Sequence, residues 1–294
     1  MRKQQNIEPA GIPVRSIPIA PKEPELTEGF RIRNIRTVMN GQPMNQDLHR
    51  HDFYFILALT KGSGSHHIDF TKYPVRDHSI FFMRPGQVHE LSLKAGCEGY
   101  LVEFKPGFYA PSERSSRQLF RRLSNKNWCK TNVHSFRKLE GTLSRMAEEF
   151  NDRQDHYIEA IRTHLTMFFI ELARNQGSPG HHPTTASYEQ QRLEELLELI
   201  DKHIAVRKQV SEYADLMNLS SYQLNAVTKS TLGKTGSEVI NEHIILEARR
   251  YLLATTNQVN QIAYHLGYED VSYFIRFFRR HTGYTPEAYR LKFS

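Results

Sequence analysis

Between Phe30 and Phe104 the apolar residues come in short runs and alternations, the period of β-strands. Phe53-Tyr54-Phe55-Ile56-Leu57-Ala58-Leu59 is an unbroken apolar run closed by Lys61-Gly62-Ser63-Gly64. Ser79-Ile80-Phe81-Phe82-Met83 runs into Arg84-Pro85-Gly86, and Tyr100, Val102 and Phe104 alternate with their neighbours. Several short strands with glycine and proline turns predict a sandwich or small barrel. The period then changes. Phe136, Leu139, Leu143, Met146 and Phe150 recur at spacings of three and four, as do Ile158, Ile161, Leu165, Phe168 and Leu172. Each stripe predicts an amphipathic helix, suited to packing on the barrel, to pairing with a second subunit, or to both.

Two stretches lack any apolar period. Residues 1–28, with Pro9, Pro13, Pro18, Pro21 and Pro24, read as an extended N-terminal arm. Residues 175–187 (Asn175 to Ser187) contain two glycines and two prolines and read as a linker; its His181-His182 pair reads as solvated. The predicted organisation is therefore an arm (1–28), a β-rich domain with two following helices (29–174), a linker (175–187) and an all-helical domain (188–294).

Composition narrows the class. With 294 residues, 39% hydrophobic and 24% charged, the chain has room for two globular domains. No run of about 18 apolar residues occurs, so no transmembrane helix and no membrane partner are expected. Met1-Arg2-Lys3-Gln4-Gln5-Asn6 has no apolar stretch behind its charges, which speaks against a secretory signal. Cys97 and Cys129 form no metal or redox spacing and read as reduced thiols, as expected of a cytoplasmic protein. A net charge of +7 accords with a nucleic-acid partner. Its distribution does not: from Tyr188 to Ser294 thirteen Lys and Arg are balanced by thirteen Asp and Glu. DNA binding must then rest on local placement. Between Val271 and Ser294, Arg276, Arg279, Arg280, Arg290 and Lys292 face only Glu287.

Two helix-turn-helix units are legible in the helical half. In the first, Val210 to Met217 is a short helix turning through Asn218-Leu219, and Ser220-Ser221-Tyr222-Gln223 has capping-box form. The recognition helix is predicted from Ser221 to about Leu232, ended by Gly233. Leu224, Val227 and Thr228 fall on its inner face, and Tyr222, Asn225, Ala226 and Lys229 on its outer face. Asn225 suits adenine, and Lys229 suits guanine or phosphate. In the second, Ile262, Ala263 and Leu266 pack the first helix, Gly267 allows the turn and Asp270 is the expected N-cap. Phe274 and Phe278 anchor the second helix, leaving Ser272, Tyr273, Ile275, Arg276 and Arg279 exposed to varying degrees. Arg276 is the expected base contact, while Arg279 and Arg280 are expected on phosphate. A helix from Glu242 to Leu253 would hold the units apart so that they read two successive major grooves, roughly 34 Å apart.

Residues 188 to 294 resemble the DNA-binding domain of the AraC/XylS family. The resemblance is carried by Ala248, Leu252-Leu253, Thr255, Ile262-Ala263, Gly267-Tyr268, Asp270, Ser272-Tyr273-Phe274, Arg276, Phe278-Arg279, Gly283, Thr285-Pro286 and Tyr289-Arg290. Two positions depart: Ile244 stands where the family usually has a basic residue, and Ala226 where a contacting arginine is often found. The family implies a homodimeric transcription regulator on double-stranded promoter DNA, with RNA polymerase as a further partner. It also implies a barrel holding a small-molecule effector, with the arm folding over it.

The barrel half resembles a cupin. His49-Arg50-His51 precedes an apolar strand, and Pro85-Gly86-Gln87-Val88-His89 follows later. In metal-binding cupins these histidines act with a glutamate, but Asp52-Phe53-Tyr54-Phe55-Ile56-Leu57 has none. The expectation is therefore no metal, no cofactor and no catalytic residue, with His49, His51, His67, Phe81 and His89 as candidate effector-pocket residues. The fold expected overall is a cupin-like β-barrel followed by helices, then an all-α domain with two helix-turn-helix units. Two readings stand beside it: a constitutive regulator whose barrel serves only dimerisation, and a metal-dependent cupin enzyme with an appended DNA-binding module.

Overall fold

The computed structural model describes Val14–Arg15 and residues 29–111, 113–175 and 185–293. Most of the expected arm and linker, including His181-His182, lies outside the described residues. The described chain forms two compact units divided between Asn175 and Thr185. No helix among the described residues is long and apolar enough to cross a membrane. Cys97 and Cys129 are buried and form no disulfide, and burial pushes the Cys129 thiol up to about 11.

The first unit packs two five-stranded sheets. One runs β1 (Val14–Arg15), β3 (Met44–His51), β8 (Val88–Leu93), β5 (Gly64–Ile68) and β6 (Thr71–Val75) across its width. The other runs β10 (Trp128–Lys130), β7 (Ser79–Met83), β4 (Tyr54–Lys61), β9 (Glu98–Phe104) and β2 (Phe30–Asn34). Every pairing is antiparallel except that of β1 with β3.

The unbroken apolar run in β4 follows from burial on both of its faces. Phe55, Leu57 and Leu59 point between the sheets, among Phe53, Ile68, Phe81, Met83, Leu91 and Leu101. The short helix α1 (Ile35–Met39) adds Ile35 and Met39 to that core. Ile56 and Ala58 point the other way, with Ile80, Phe82, Val102 and Phe104, into a second core beneath three helices. These are α2 (Arg114–Ser124), α3 (Val133–Asp152) and α4 (Tyr157–Asn175). Where β9 comes closest to β4 stands Gly99, at φ +145°, and a Cβ there would be driven into the Ala58 carbonyl oxygen.

Both predicted helix stripes turn inward onto this sheet. Phe136, Leu139, Leu143 and Met146 of α3 are buried, as are Ile158, Ile161, Leu165, Phe168 and Leu172 of α4. Packing on the sheet therefore consumes the stripes, so a second copy of the chain can meet only other residues of these helices. Helix α2 carried no sequence signal, since only Leu119, Phe120 and Leu123 interrupt a run of arginine and polar residues.

The second unit is wholly helical: α5 (Thr185–His203), α6 (Val210–Leu216), α7 (Ser221–Leu232), α8 (Gly236–Ala254), α9 (Val259–His265), α10 (Val271–Thr282) and α11 (Pro286–Phe293). The connecting helix is longer than its sequence pattern indicated. It starts at Gly236, where Thr235 and Glu238 form a reciprocal capping box.

Leu165→Ala should cost about 2–5 kcal/mol in denaturant unfolding, the range for deleting a buried leucine side chain. Met167→Ala, on the solvent side of the same helix at 47% exposure, should stay within about 0.5 kcal/mol. Equal effects from the two would contradict the inward orientation of the stripe.

Candidate nucleic-acid interface and sensor core

Each helix-turn-helix unit is built by a short buried helix, a tight reversal and a capped second helix. In the second unit, α9 buries Val259, Ile262 and Ala263. The chain then reverses at Gly267, φ +73°, and the Tyr268 N–H donates to the Ala263 carbonyl oxygen at 2.9 Å. Glycine is required there twice over. The backbone is left-handed, and the Ala205 carbonyl oxygen occupies the space of a Cβ. Lys208 closes the contact, donating to the Gly267 and Ala205 carbonyl oxygens at 3.0 and 3.3 Å while lying 4.9 Å from the Tyr268 ring centre. In the first unit Asn218 takes the left-handed position at φ 53°, a conformation asparagine tolerates better than most residues. The Leu219 N–H likewise reaches back to the Ala214 carbonyl oxygen at 2.9 Å.

Helix α10 begins at Asp270, whose carboxylate accepts from the Ser272 and Tyr273 N–H groups at 2.8 and 3.1 Å. Its inner face is Phe274 and Phe278, both fully buried, and its end is Gly283 in the left-handed conformation. The opposite face carries Ser272, Tyr273, Arg276, Arg279 and Arg280, all exposed. Arg276 is 68% exposed and lies 3.9 Å from the equally exposed Asp270 carboxylate. Such a surface pair is weak and exchanges readily for a nucleic-acid partner. Three guanidinium groups therefore stand on one face of a helix that is fixed from behind.

Helix α7 is poorer. Its N-cap Ser220 accepts from Gln223 N–H at 3.2 Å while the Gln223 side chain accepts from Ser220 N–H at 2.8 Å, the reciprocal box its sequence implied. Tyr222 is 84% exposed, and Ala226 and Lys229 are exposed beside it. Asn225 is turned differently from the outward expectation. Its side-chain oxygen accepts from the Gly236 N–H at 2.9 Å, and its amide donates to the Ser221 carbonyl oxygen at 2.9 Å. Both ends of the carboxamide are thus engaged in joining α7 to the start of α8. Arg290 too leaves the expected basic edge. It donates to the Leu252 and Asn257 carbonyl oxygens at 2.8 and 2.6 Å, closing the end of α8.

In the first unit, strand alternation sorts the histidines. His49 and His51 on β3, His66 on β5 and His89 on β8 all point into the core and are buried. Their rings meet. His89 Nε2 lies 3.0 Å from His49 Nε2 and 2.8 Å from His51 Nε2, and His89 Nδ1 lies 2.8 Å from His66 Nε2. Phe81 joins them, its ring centre 4.8 Å from that of His66. Burial first, and then the neighbouring rings, push the His66 pKa down to about 3, so it is neutral at ordinary pH. His67 is the correction. It points to the outer face, 3.6 Å from the Glu90 carboxylate, because the period-two alternation that turns His66 inward turns its neighbour outward. Ile68, apolar and of the same parity as His66, carried the signal that would have chosen between them.

The chain matches two family models in succession: the AraC-like ligand binding domain over residues 42–165, and the helix-turn-helix domain over residues 213–292. The chain belongs to the AraC/XylS family of transcription regulators. Its AraC-type helical half binds DNA, and its barrel is the effector-binding half of the regulator. Similar proteins include the HTH-type transcriptional activator RhaS of Escherichia fergusonii, 25% identical over 247 residues, which cover 82% of this chain and 86% of that one. Among solved structures, the C-terminal domain of the response regulator yesN from Fusobacterium nucleatum is 27% identical, with a TM-score of 0.33 over 34% of this chain and 98% of that one. ToxT from Vibrio cholerae is 16% identical, with a TM-score of 0.41 over 90% of this chain and 98% of that one. The two departures from the AraC/XylS pattern have different settings. Ile244 is buried in α8, where a cation would be cut off from solvent, whereas Ala226 is on the exposed face and leaves a gap there.

Asn225→Ala should lower the stability of the helical unit by about 1–2 kcal/mol, because a buried helix-end N–H loses its acceptor. Tyr222→Ala and Lys229→Ala should change it by less than about 0.5 kcal/mol. Thermal unfolding of the three variants distinguishes a side chain that ties helices together from those free to face a ligand.

Proposed function

We propose that the protein acts as a homodimer on double-stranded promoter DNA, placing α7 and α10 in successive major grooves. The observation that carries this reading is the row Arg276, Arg279 and Arg280 on a helix locked from behind by Phe274 and Phe278. A recognition helix needs a rigid inner face and a cationic, hydrogen-bonding outer one. Arg276, one turn into α10, is placed for a bidentate contact to guanine; Arg279 and Arg280 grip phosphate, with Ser272 and Tyr273 at the helix start. Tyr222 and Lys229 contribute the first unit's contacts. Asn225 drops out of the base-contact set, because its carboxamide is engaged between α7 and α8.

With Ala226 exposed and one lysine on its outer face, α7 supplies less affinity than α10. A single chain thus has an uneven grip, and two copies on one site compensate. The solvent side of α4, where Met167 is exposed, suits such pairing. In this reading the protein is cytoplasmic, performs no catalysis, and passes the state of its barrel to RNA polymerase through the DNA-bound dimer. The barrel half senses an effector by favouring one of two arrangements of the dimer on DNA.

Arg276→Ala should weaken binding to the specific site by about 1–3 kcal/mol and relax preference at one base pair. Arg279→Ala should weaken specific and random duplexes alike and reduce the slope of log affinity against log salt by about 1. Fluorescence anisotropy across a panel of single-base variants measures both. Unchanged discrimination in Arg276→Ala would rule out its base contact.

A further inference from the structure

We propose that His49, His51 and His89 form a binding site for one divalent transition-metal ion, with His66 positioning His89 from behind. The inference deepens the reading of the barrel as the sensor half, naming the class of ligand that this part of its core accepts. It stands on the way the ring nitrogens meet. The three ligand atoms lie within 4.8 Å of one another and come from two adjacent strands, β3 and β8. His49 gives its Nδ1 proton to the Asp47 carbonyl oxygen at 2.6 Å, since a carbonyl can only accept, so its Nε2 presents a lone pair. That lone pair and the His51 Nε2 both face a single atom, Nε2 of His89. One proton on His89 Nε2 cannot make a linear hydrogen bond to both neighbours. A cation at the meeting point takes a lone pair from all three at once. The His89 proton then resides on Nδ1 and is donated to His66 Nε2, the outer contact that orients a metal-bound imidazole.

The dimensions select an ion over an organic molecule. Zinc–nitrogen bonds of about 2.0–2.1 Å in a tetrahedron put ligand nitrogens roughly 3.3 Å apart. The observed 2.8 and 3.0 Å contacts need to open by a few tenths of an ångström, while the remaining pair, His49 and His51, whose ligand atoms lie within 4.8 Å, closes to the same spacing. A sugar or fatty acid would instead have to displace Phe53, Phe55 and Phe81, each buried against these rings. Three neutral imidazoles suit zinc, nickel, cobalt or iron and not the oxygen-seeking calcium or magnesium. A fourth position is left for water or hydroxide.

The test uses full-length protein carrying His181→Ala and His182→Ala, so that the linker pair contributes nothing, stripped with chelator and titrated with Co²⁺. The expected result is a visible spectrum of histidine-ligated cobalt that saturates at one ion per chain, together with a raised Tm. His51→Gln and His89→Gln should abolish both effects, whereas His67→Gln, on the outer face, should keep both. His66→Gln should keep the spectrum and weaken affinity about 10–100-fold, as loss of an outer-shell partner does. No cobalt spectrum in the protein with the ligands intact overturns the site, whether or not the ligand variants fold. So does a spectrum that survives in both His51→Gln and His89→Gln. Duplex binding by the same samples depends on α7 and α10, so loss of the metal site with DNA binding intact sinks this inference alone.

Discussion

Burial of one face of α8 fixes the geometry on which DNA reading depends. Val239, Ile240, Ile244, Ile245, Ala248, Tyr251 and Leu252 are buried along its length, and each of the valine, isoleucine and leucine side chains contributes about 1.5–3 kcal/mol. The helix packs against α5, α6 and α7 as well as α9, α10 and α11. Nineteen residues at 1.5 Å of rise give about 28 Å, commensurate with one turn of duplex. Both ends are clamped. Asn225 satisfies the Gly236 N–H at the start, and Arg290 gathers the Leu252 and Asn257 carbonyl oxygens at the finish. The two recognition helices thus hang from one strut, and Lys208, holding the Gly267 turn to the segment before α6, ties them a second time.

This rigidity accounts for how a domain of zero net charge can bind a polyanion. Bulk attraction is absent, so affinity must come from a few cations held where phosphates and base edges will be. Helix α10 provides three and α7 one. The first unit of the chain is organised by a different constraint, the two-sided burial of β4 between an inter-sheet core and a helix-covered one. Four histidines are buried in that core, their ring nitrogens meeting at His89.

The sequence was most legible where one residue type does one local thing. Gly233 and Gly267 end a helix or reverse the chain, Ser220 and Asp270 cap, and Phe274 and Phe278 anchor, all as their spacing implied. The β-rich first unit was legible as a class, but its register was not. His66 and His67 are adjacent, and only the parity shared with Ile68 distinguishes inward from outward. Asn225 was misplaced for a different reason. Its partner, Gly236, is eleven residues away on the next helix, a contact no helical period reports. Helix α2 was invisible because three apolar residues among arginines make no stripe, although Phe120 and Leu123 are buried.

The central claim is that one rigid helical unit reads two successive major grooves, with unequal strength. Chemical protection of guanine N7 across a bound promoter site tests it most directly, because that atom faces the major groove. The account predicts two protected segments per chain, about one helical turn apart on the same face of the duplex, the stronger one at the helix bearing Arg276. A single protected groove per chain, or two whose relative strength Arg276→Ala leaves unchanged, would contradict it.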